Sequence, residues 1–279
     1  MSLNINGMNV SNLPFNLEED LLMEGYALIT GGTSGIGLEL ALNFARDGIN
    51  LCLVSRSEDK LKEVAKKISL EYEVEVLSVP MDLCEDDSPF RLYDLLKGKG
   101  IQVDYLVNNA GVGSFGRLKD TEMKVEENLV KLNILALLRL TKLFVPDMVD
   151  RRYGYVLNVS SMAAFLPGPI MANYYASKAY VLSLSEALHE ELKGTGVKVS
   201  VLCPGPVKTG FQAAAGIRKY DGSKFFMKEA KKVADIGYVA MWKGKPVAIP
   251  GLISKLLPRV FAIIPRSCLR KAVMASQKE

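Results

Sequence analysis

Two side chains with complementary chemistry lie four residues apart, at Tyr174 and Lys178. The apolar spacing of residues 172–192 predicts a helix, which places residues four apart on one face, about 6 Å apart. A nearby ammonium favours the phenolate, so Lys178 would lower the pKa of Tyr174 from about 10 and make it a candidate general acid or base. Ser161 follows a strand-like apolar run, 155–159, and its hydroxyl could hold a carbonyl or alcohol oxygen. Most Tyr-x-x-x-Lys pairs are solvated helix neighbours, so the chain must also provide a cofactor site.

A glycine-rich turn is the first candidate for that site. Residues 26–30 predict a strand, residues 38–45 begin a helix, and Gly31, Gly35 and Gly37 lie in the turn between them. Glycines permit close approach of the backbone to a pyrophosphate, and the N-terminus of the following helix attracts an anion. A simple glycine-rich turn is the alternative, but the strand before it and the helix after it favour a dinucleotide site.

The end of the second predicted strand, residues 50–55, bears on the choice of dinucleotide. In dinucleotide folds an acid at this point accepts the ribose 2′-hydroxyl, whereas a base accommodates a 2′-phosphate. This sequence has no acid there; Arg56 follows Ser55, and Ser34 could add a hydroxyl to the same phosphate. The pattern favours NADP(H) over NAD(H), with an ordinary exposed arginine as the alternative.

The rest of the chain continues the alternation of strands and helices. Further strands are predicted at 74–79, 103–107, 197–203 and 246–249, and helices at 57–70, from Glu85, at 121–148, at 231–243 and from Gly251 onward. Asp82 is either an acceptor for an adenine amino group or a turn residue. Asn133 lies in an apolar helical stretch, where its amide needs a partner or a water. Four phenylalanines hint at an apolar substrate pocket: Phe165, Phe211, Phe225 and Phe226.

Taken together, these motifs resemble the short-chain dehydrogenase/reductase family of the compact, one-domain type. They occur in the family's order over most of the chain. The matching stretches are 30–37, Asp82 with Leu83, 108–111, Asn133, 158–161, Tyr174 with Lys178, and 204–209. The resemblance implies an α/β Rossmann-type fold, a doubly wound seven-stranded parallel sheet with helices on both faces. It also implies a nicotinamide cofactor and hydride transfer between an alcohol and a carbonyl group.

The resemblance also assigns roles. Tyr174 is the proton donor or acceptor, Lys178 lowers its pKa and bonds the nicotinamide ribose, Ser161 orients the substrate oxygen, and Asn133 holds a water that links Lys178 to solvent. Tyr175 is a packing residue. Besides Tyr174 and Lys178, the implied cofactor-binding residues are Gly31, Thr33, Ser34, Gly35, Ile36, Gly37, Ser55, Arg56, Asp82, Leu83, Asn109, Ala110, Gly111, Pro204, Val207 and Thr209.

The composition is that of a globular protein of 279 residues, 49% hydrophobic and 24% charged. Its net charge of +4 is mild and its basic residues are dispersed, so no nucleic-acid partner is expected. The four cysteines lack metal-like spacing, which indicates free thiols in a reducing compartment and no metal site. His189 falls in a helical pattern and is expected at the surface. We see no signal peptide and no membrane-spanning run, and we expect a cytoplasmic protein.

Three segments are expected: an N-terminal extension at 1–22, one dinucleotide-binding and catalytic domain at 23–250 with a substrate loop at 210–228, and a helical tail at 251–279. Pro258 and Pro265 are expected to break the tail into short helices. The tail could be a lid over an apolar pocket, an oligomer contact or a peripheral membrane patch; packing within the subunit or oligomer is favoured. The extension and tail loosely resemble bacterial ketoreductase-like members and acyl- and steroid-reducing relatives, and the family implies a homodimer or homotetramer.

The leading hypothesis is an NADP(H)-dependent ketoreductase that interconverts a carbonyl and an alcohol, on a small and apolar substrate. A non-catalytic dinucleotide-binding regulator is the alternative, although such a protein need not keep Tyr174, Lys178 and Ser161. A sugar-nucleotide epimerase or dehydratase shares Tyr-x-x-x-Lys. Those larger relatives favour another glycine spacing and a larger C-terminal domain.

Overall fold

The computed structural model describes residues 4–5, 8–9, 25–216 and 227–277. A short antiparallel pair, Asn4–Ile5 with Met8–Asn9, precedes the main body. The main sheet has seven strands: β1 Tyr26–Thr30, β2 Asn50–Ser55, β3 Val76–Pro80, β4 Val103–Asn108, β5 Gly154–Val159, β6 Val197–Leu202 and β7 Val247–Ala248. The main helices are α1 Gly35–Arg46, α2 Glu58–Tyr72, α3 Ser88–Gly98, α4 Met123–Val130, α5 Leu137–Asp150, α6 Ala172–Glu191, α7 Ala230–Trp242, α8 Leu252–Ile263 and α9 Arg266–Ser276.

The seven strands form one parallel sheet in the order β7-β6-β5-β4-β1-β2-β3, which confirms the predicted fold. The order reverses between β1 and β4, so a crevice opens there at the carboxyl ends of the strands, where ligands bind in this class of sheet. Most of the cofactor residues implied by the sequence lie at or just after the carboxyl end of a strand, whereas Tyr174 and Lys178 lie in α6.

Helices cover both faces of the sheet. Because both faces are buried, the strand sequences are almost entirely apolar. In β1, Ala27 and Ile29 pack with Phe44 of α1, whereas Leu28 points to the opposite face and packs with Phe144 of α5. The aromatic ring of Phe44 meets that of Tyr238 from α7 edge-on at 4.9 Å between centroids. The two cores hold the strand ends, and thus the crevice, in fixed positions.

Several predicted boundaries were wrong by a few residues. The third strand is Val76–Pro80 rather than 74–79, and the last strand covers only Val247–Ala248. The helix expected from Glu85 begins at Ser88, because the backbone first turns: the N–H of Cys84 bonds Oδ1 of Asp82 at 2.9 Å. Pro89 then occupies the first turn, where a missing N–H costs nothing.

Two helices differ from expectation in kind. The long helix predicted at 121–148 is interrupted by a π-helical turn, Lys131–Ala136, between α4 and α5. Pro258 does not break the tail: it lies inside α8, and the break comes only at Pro265. Half-buried Leu257 and Phe261 flank Pro258 on the inner face, and this packing keeps the helix continuous despite the missing backbone hydrogen bond.

Candidate active site

The glycine turn sits between β1 and α1 as the sequence predicts. Gly31 and Gly35 adopt positive φ angles of 68° and 55°, which favour glycine. A Cβ on Gly37 would lie 2.3 Å from the carbonyl oxygen of Gly31, so no side chain fits there. Ser34 precedes α1 without capping it through its side chain. The first N–H groups of α1 are therefore available to an anion.

A clamp of neutral groups joins the ends of β1 and β4 beside this turn. Oγ1 of Thr30 accepts from the backbone N–H groups of Asn109 and Ala110, each at 3.0 Å. In the other direction, Nδ2 of the Asn109 side chain donates hydrogen bonds to the carbonyl oxygens of Thr30 at 2.9 Å and Gly31 at 3.2 Å. Asn109 and Ala110 thus lie in the crevice, as predicted, and the Asn109 side chain holds strands together.

Of the predicted 2′-phosphate residues, Ser55 ends β2 and Arg56 follows it, whereas Ser34 precedes α1. Oγ1 of Thr33 donates to Oγ of Ser55 at 3.3 Å, which ties the glycine turn to that strand. Ser34 and Arg56 are exposed, and Ile36 is half-buried. Asp82, at the end of β3, is a turn residue through Oδ1, and the following Leu83 is buried. The arrangement leaves one guanidinium and two hydroxyls near the place where a ribose phosphate would approach.

Asn133 lies in the π turn, and its amide is fully engaged. Its Oδ1 accepts from the N–H of Val112 at 2.9 Å, while Nδ2 donates to the Val112 carbonyl at 2.9 Å and to Oγ of Ser177 at 3.1 Å. The side chain thus locks the loop after β4 to α6. Its predicted water link to Lys178 stays a prediction, since these bonds use the amide for positioning.

Lys178 is buried and fixed. Its Nζ donates to the carbonyl oxygen of Val159 at 2.9 Å and lies 5.9 Å from the centroid of the Tyr174 ring. A Cβ on Gly111 would lie 3.3 Å from the same nitrogen and 3.2 Å from Oδ1 of Asn133, so a side chain there would crowd both groups. Burial lowers the pKa of Lys178 from 10.5 to about 8. Its ammonium therefore stays charged at neutral pH, close to the phenol.

Tyr174 is buried in the first turns of α6, on the same face as Lys178. It belongs to an apolar cluster with Leu129, Met171 and Phe211, and the Phe211 ring centroid lies 5.4 Å from its own. Its backbone carbonyl accepts from Oγ of Ser177 at 2.7 Å. Tyr174 and Lys178 therefore lie on one face of α6, as their spacing predicts, and their catalytic roles stay predictions.

The two serines after β5 have different roles. Oγ of Ser160 is buried and donates to the carbonyl of Lys178 at 2.7 Å, which braces α6. Ser161 is only half-buried; its Oγ accepts from the N–H of Ala163 at 3.1 Å and begins a short 3₁₀ helix, Met162–Phe165. Ser161 is thus the less buried of the two serines, and its role of orienting the substrate oxygen stays a prediction.

The segment after β6 closes the crevice. The carbonyl of Pro204 accepts from the N–H of Met162 at 2.8 Å and, more weakly, from Oγ of Ser161 at 3.5 Å. Val207 is buried in a two-residue parallel pair, Val207–Lys208 with Lys228–Glu229. A Cβ on Gly35 would lie 3.0 Å from Cγ2 of Thr209, so this segment touches the glycine turn. Pro204, Val207 and Thr209 therefore lie on a segment that reaches both Met162 and the glycine turn, and their contact with a cofactor stays a prediction.

The four phenylalanines do not act as one group. Phe211 packs on Tyr174, but Phe165 packs in a separate cluster with Val181 and Cys203. Phe225 and Phe226, like most of the predicted substrate loop, lie outside the described residues. The apolar wall beside Tyr174 includes instead Val112 and Phe115, which no local pattern singled out.

Three supporting residues were missed from the sequence. They are Thr30, Ser160 and Ser177. Each forms a side-chain hydrogen bond with a partner at least 18 residues away in the chain. Thr30 and Ser160 directly adjoin predicted site residues, and Ser177 lies three residues after Tyr174, one turn on along α6. The sequence signal that could have identified them is a hydroxyl side chain next to a predicted site residue, or one helical turn away from it.

The remaining reactive side chains are engaged elsewhere. His189 is half-buried rather than at the surface, because Nδ1 lies 2.9 Å from the carbonyl of Val199 on β6. Cys52 and Cys203 are free and buried, and burial raises the pKa of both thiols to about 12. Within the described residues, no cluster of His, Cys, Asp or Glu could hold a metal ion.

Comparison with known proteins agrees with this geometry. Residues 25–219 match the short chain dehydrogenase family. The chain is 36% identical over 250 residues to the very-long-chain 3-oxoacyl-CoA reductase of Rattus norvegicus, covering 84% of this chain and 76% of that protein. It is 34% identical over 219 residues to 17-beta-hydroxysteroid dehydrogenase type 3 of Mus musculus, covering 77% and 70%.

Among solved structures, a short-chain dehydrogenase from Sphingobium yanoikuyae in complex with NADPH aligns with a TM-score of 0.79 and 30% sequence identity, over 91% of this chain and 96% of that one. The protein therefore belongs to the short-chain dehydrogenase/reductase family and is an oxidoreductase with a Rossmann-type fold. Its own residues fit a dinucleotide: the glycine turn leaves the N-terminus of α1 open, and Gly111 leaves space beside Lys178.

Proposed function

We propose that this protein is an NADP(H)-dependent reductase that converts the 3-oxo group of a long-chain acyl thioester to a hydroxyl group. The observation that carries the proposal is the convergence of Tyr174, Lys178 and the accessible Ser161 at the edge of the dinucleotide crevice. Arg56 and Ser34, with no acid at the end of β2, support NADP(H). The relative from Rattus norvegicus supports the acyl thioester.

The catalytic residues divide the work between proton transfer and positioning. A bound nicotinamide dinucleotide would supply the hydride to the carbonyl carbon. Ser161 donates a hydrogen bond to the substrate oxygen, and Tyr174 delivers a proton to it as the hydroxyl group forms. The Lys178 ammonium, held by the Val159 carbonyl, stabilises the phenolate that results. Val112 and Phe115 would exclude water from one side of the reacting group.

The apolar wall beside Tyr174 supports the substrate class. Leu129, Ala163, Met171 and Phe211 surround the phenol with hydrocarbon, which suits an alkyl chain better than a sugar or a charged ligand. A steroid is the second candidate, supported by similarity to the mouse hydroxysteroid dehydrogenase. Homodimer or homotetramer assembly and a cytoplasmic location stay predictions.

The test is a pair of tyrosine variants. Tyr174→Phe should lower kcat for a long-chain 3-oxoacyl-CoA by about 10³-fold, since general acid catalysis contributes 10²–10⁴-fold. Its affinity for NADPH, followed by nucleotide fluorescence, should stay unchanged. Tyr175→Phe is the matched control: its hydroxyl accepts from Nε2 of Gln277 at 3.0 Å, so it should keep most of the turnover.

Three results would overturn parts of the proposal. Retained turnover in Tyr174→Phe would exclude the assigned acid. A higher kcat/KM for a 17-oxosteroid than for the 3-oxoacyl-CoA would replace the substrate class. Tight NADPH binding without oxidation by any ketone in a broad panel would restore the non-catalytic regulator as the better reading.

A further inference from the structure

We propose that helices α8 and α9 form a docking surface for a membrane containing anionic lipid. The inference goes beyond the reductase activity and does not depend on it. The sequence alone favoured packing of this tail within the subunit or an oligomer. Its outer face, however, is exposed in the structure, and the composition of that face fits a lipid surface.

Helix α8 carries two adjacent apolar stripes, about 100° apart around its axis. Leu257 and Phe261, on the inner stripe, are half-buried. Leu256, Val260 and Ile263 are spaced four and three residues apart, which places them on one face, and they are 56%, 41% and 83% exposed. The inner face accounts for the docking of α8 on its own subunit. The outer face therefore needs a partner outside it.

The tail, residues 251–279, is strongly basic, with six basic side chains and one acidic side chain, Glu279. Residues 251–277 contain five basic side chains, Lys255, Arg259, Arg266, Arg270 and Lys271, and no acidic one. All five residues are exposed, and within the described chain none forms an ion pair. On α9, Arg270, Lys271 and Met274 line an open groove of about 360 Å³. Exposed hydrocarbon beside unpaired cations is the pattern of an interfacial helix on anionic lipid.

The same charges argue against a second copy as the occupant. A two-fold contact would use the same patch on both subunits. Lys255 and Arg259 lie next to the exposed apolar stripe of Leu256 and Val260, so self-association would bring like charges together. The surface of an anionic bilayer can bury the apolar stripe and pair with the neighbouring cations at the same time.

The geometry favours lying on a bilayer over crossing it. Helix α8 has 12 residues, which give a length of about 18 Å, against about 30 Å for the hydrocarbon core of a bilayer. Within the part of the chain that the structure describes, no helix is both long and apolar enough to span a membrane.

The proposed surface adjoins the active site. Helix α8 contacts the 3₁₀ helix that follows Ser161. Beyond α9, Gln277 bonds the hydroxyl of Tyr175, the neighbour of Tyr174. Docking through α8 and α9 would therefore bring the apolar side of the crevice near the bilayer, where a long-chain substrate resides.

The experiment measures partition of the full-length protein onto vesicles by flotation. Vesicles of neutral phosphatidylcholine are compared with vesicles that contain equal parts of phosphatidylcholine and phosphatidylglycerol. The wild type should bind only the anionic vesicles, and binding should fall as salt is raised. Lys255→Gln with Arg259→Gln should reduce partition about 25-fold, about fivefold for each cation removed. Val260→Ser with Ile263→Ser should reduce it at least as much, because two apolar side chains that would be buried in the bilayer are lost.

Matched controls use exposed residues outside the tail. Lys60→Gln with Lys66→Gln on α2 removes the same charge, and Leu70→Ser with Leu118→Ser removes side chains that are 74% and 60% exposed. Both control proteins should float like the wild type. NADPH binding and circular dichroism report whether each variant is folded.

Several outcomes would overturn the inference: no flotation with either vesicle, equal flotation with both, or equal losses in tail and control variants. Light scattering provides a further one. If the tail variants lower the molar mass in solution while vesicle binding is absent, the face is a contact between copies. Loss of flotation with ketone reduction intact would support the inference and separate it from the proposed enzyme activity.

Discussion

The cofactor side and the catalytic side of the crevice hold their residues in opposite ways. On the cofactor side, Thr30 and Asn109 join two strands through neutral groups with short bonds to backbone atoms. On the catalytic side, α6 holds a buried ammonium at Lys178, which burial destabilises in its charged form. The comparison suggests that the first region serves stability and that the second sacrifices stability for chemistry.

The largest expected effect concerns the charge on Lys178. Because burial lowers its pKa from 10.5 to about 8, the unfolded chain binds more protons than the folded chain between those pH values. The cost of burying the ammonium is therefore fully present below pH 8 and disappears as the pH rises toward 10.5. The full cost is about 3 kcal/mol, at 1.36 kcal/mol for each unit of pKa.

Urea unfolding of the wild type and Lys178→Met measures this cost. The free energy of unfolding of the variant minus that of the wild type should fall by about 3 kcal/mol between neutral pH and pH 10.5. Subtraction removes contributions from other groups that titrate in this range. A difference independent of pH would show that the ammonium carries no burial cost, and the contrast between the two regions would fail.

The neutral clamp should behave differently. Thr30→Val removes the acceptor for two N–H groups, those of Asn109 and Ala110, and should lower the free energy of unfolding by about 2 kcal/mol. The loss should be the same across the pH range, because neither partner titrates. Thr30→Ser keeps the hydroxyl and should recover most of the stability in the same urea assay. A loss that varied with pH would link the clamp to a charged group.

The smallest expected effect is at the exposed rim of the cofactor side. Arg56→Ala should weaken NADPH binding about tenfold, or about 1.4 kcal/mol, because it removes one partly solvated cation from the proposed 2′-phosphate site. NADH binding should be unchanged, and Lys60→Ala should affect neither nucleotide. Fluorescence titration with both nucleotides checks this. Equal losses for NADPH and NADH would remove the argument for NADP(H) preference.

The sequence predicted the sheet and the positions of the site residues because both depend on local patterns. Apolar runs marked the strands, and a parallel sheet brings the carboxyl ends of its strands to one edge. Gly31, Asn109, Ser161 and Thr209 follow different strands and therefore had to meet there. The four-residue spacing of Tyr174 and Lys178 placed both on one face of α6.

What the sequence could not show were contacts between distant segments. Nothing near Thr30 indicates that its hydroxyl caps the backbone after β4, 79 residues further on. The start of α3 was misplaced because acids suit a first turn, yet Asp82 turns the backbone instead. Pro258 was expected to end a helix because local propensity disfavours it, yet the helix continues through it, with half-buried Leu257 and Phe261 as its neighbours on the inner face.

The π turn at Lys131–Ala136 has a consequence for the evolution of the chain. The wider turn holds one residue more than an α-helix needs, so a single-residue deletion inside it would leave a regular α-helix and keep α4 and α5 close to their present relative orientation. The same deletion at the start of α5 would rotate the residues beyond it by about 100° and turn Leu140 and Phe144 away from the core. We therefore expect the loss of one residue to be tolerated more readily in this turn than in the helices on either side of it, provided that Asn133 keeps its bonds to Val112.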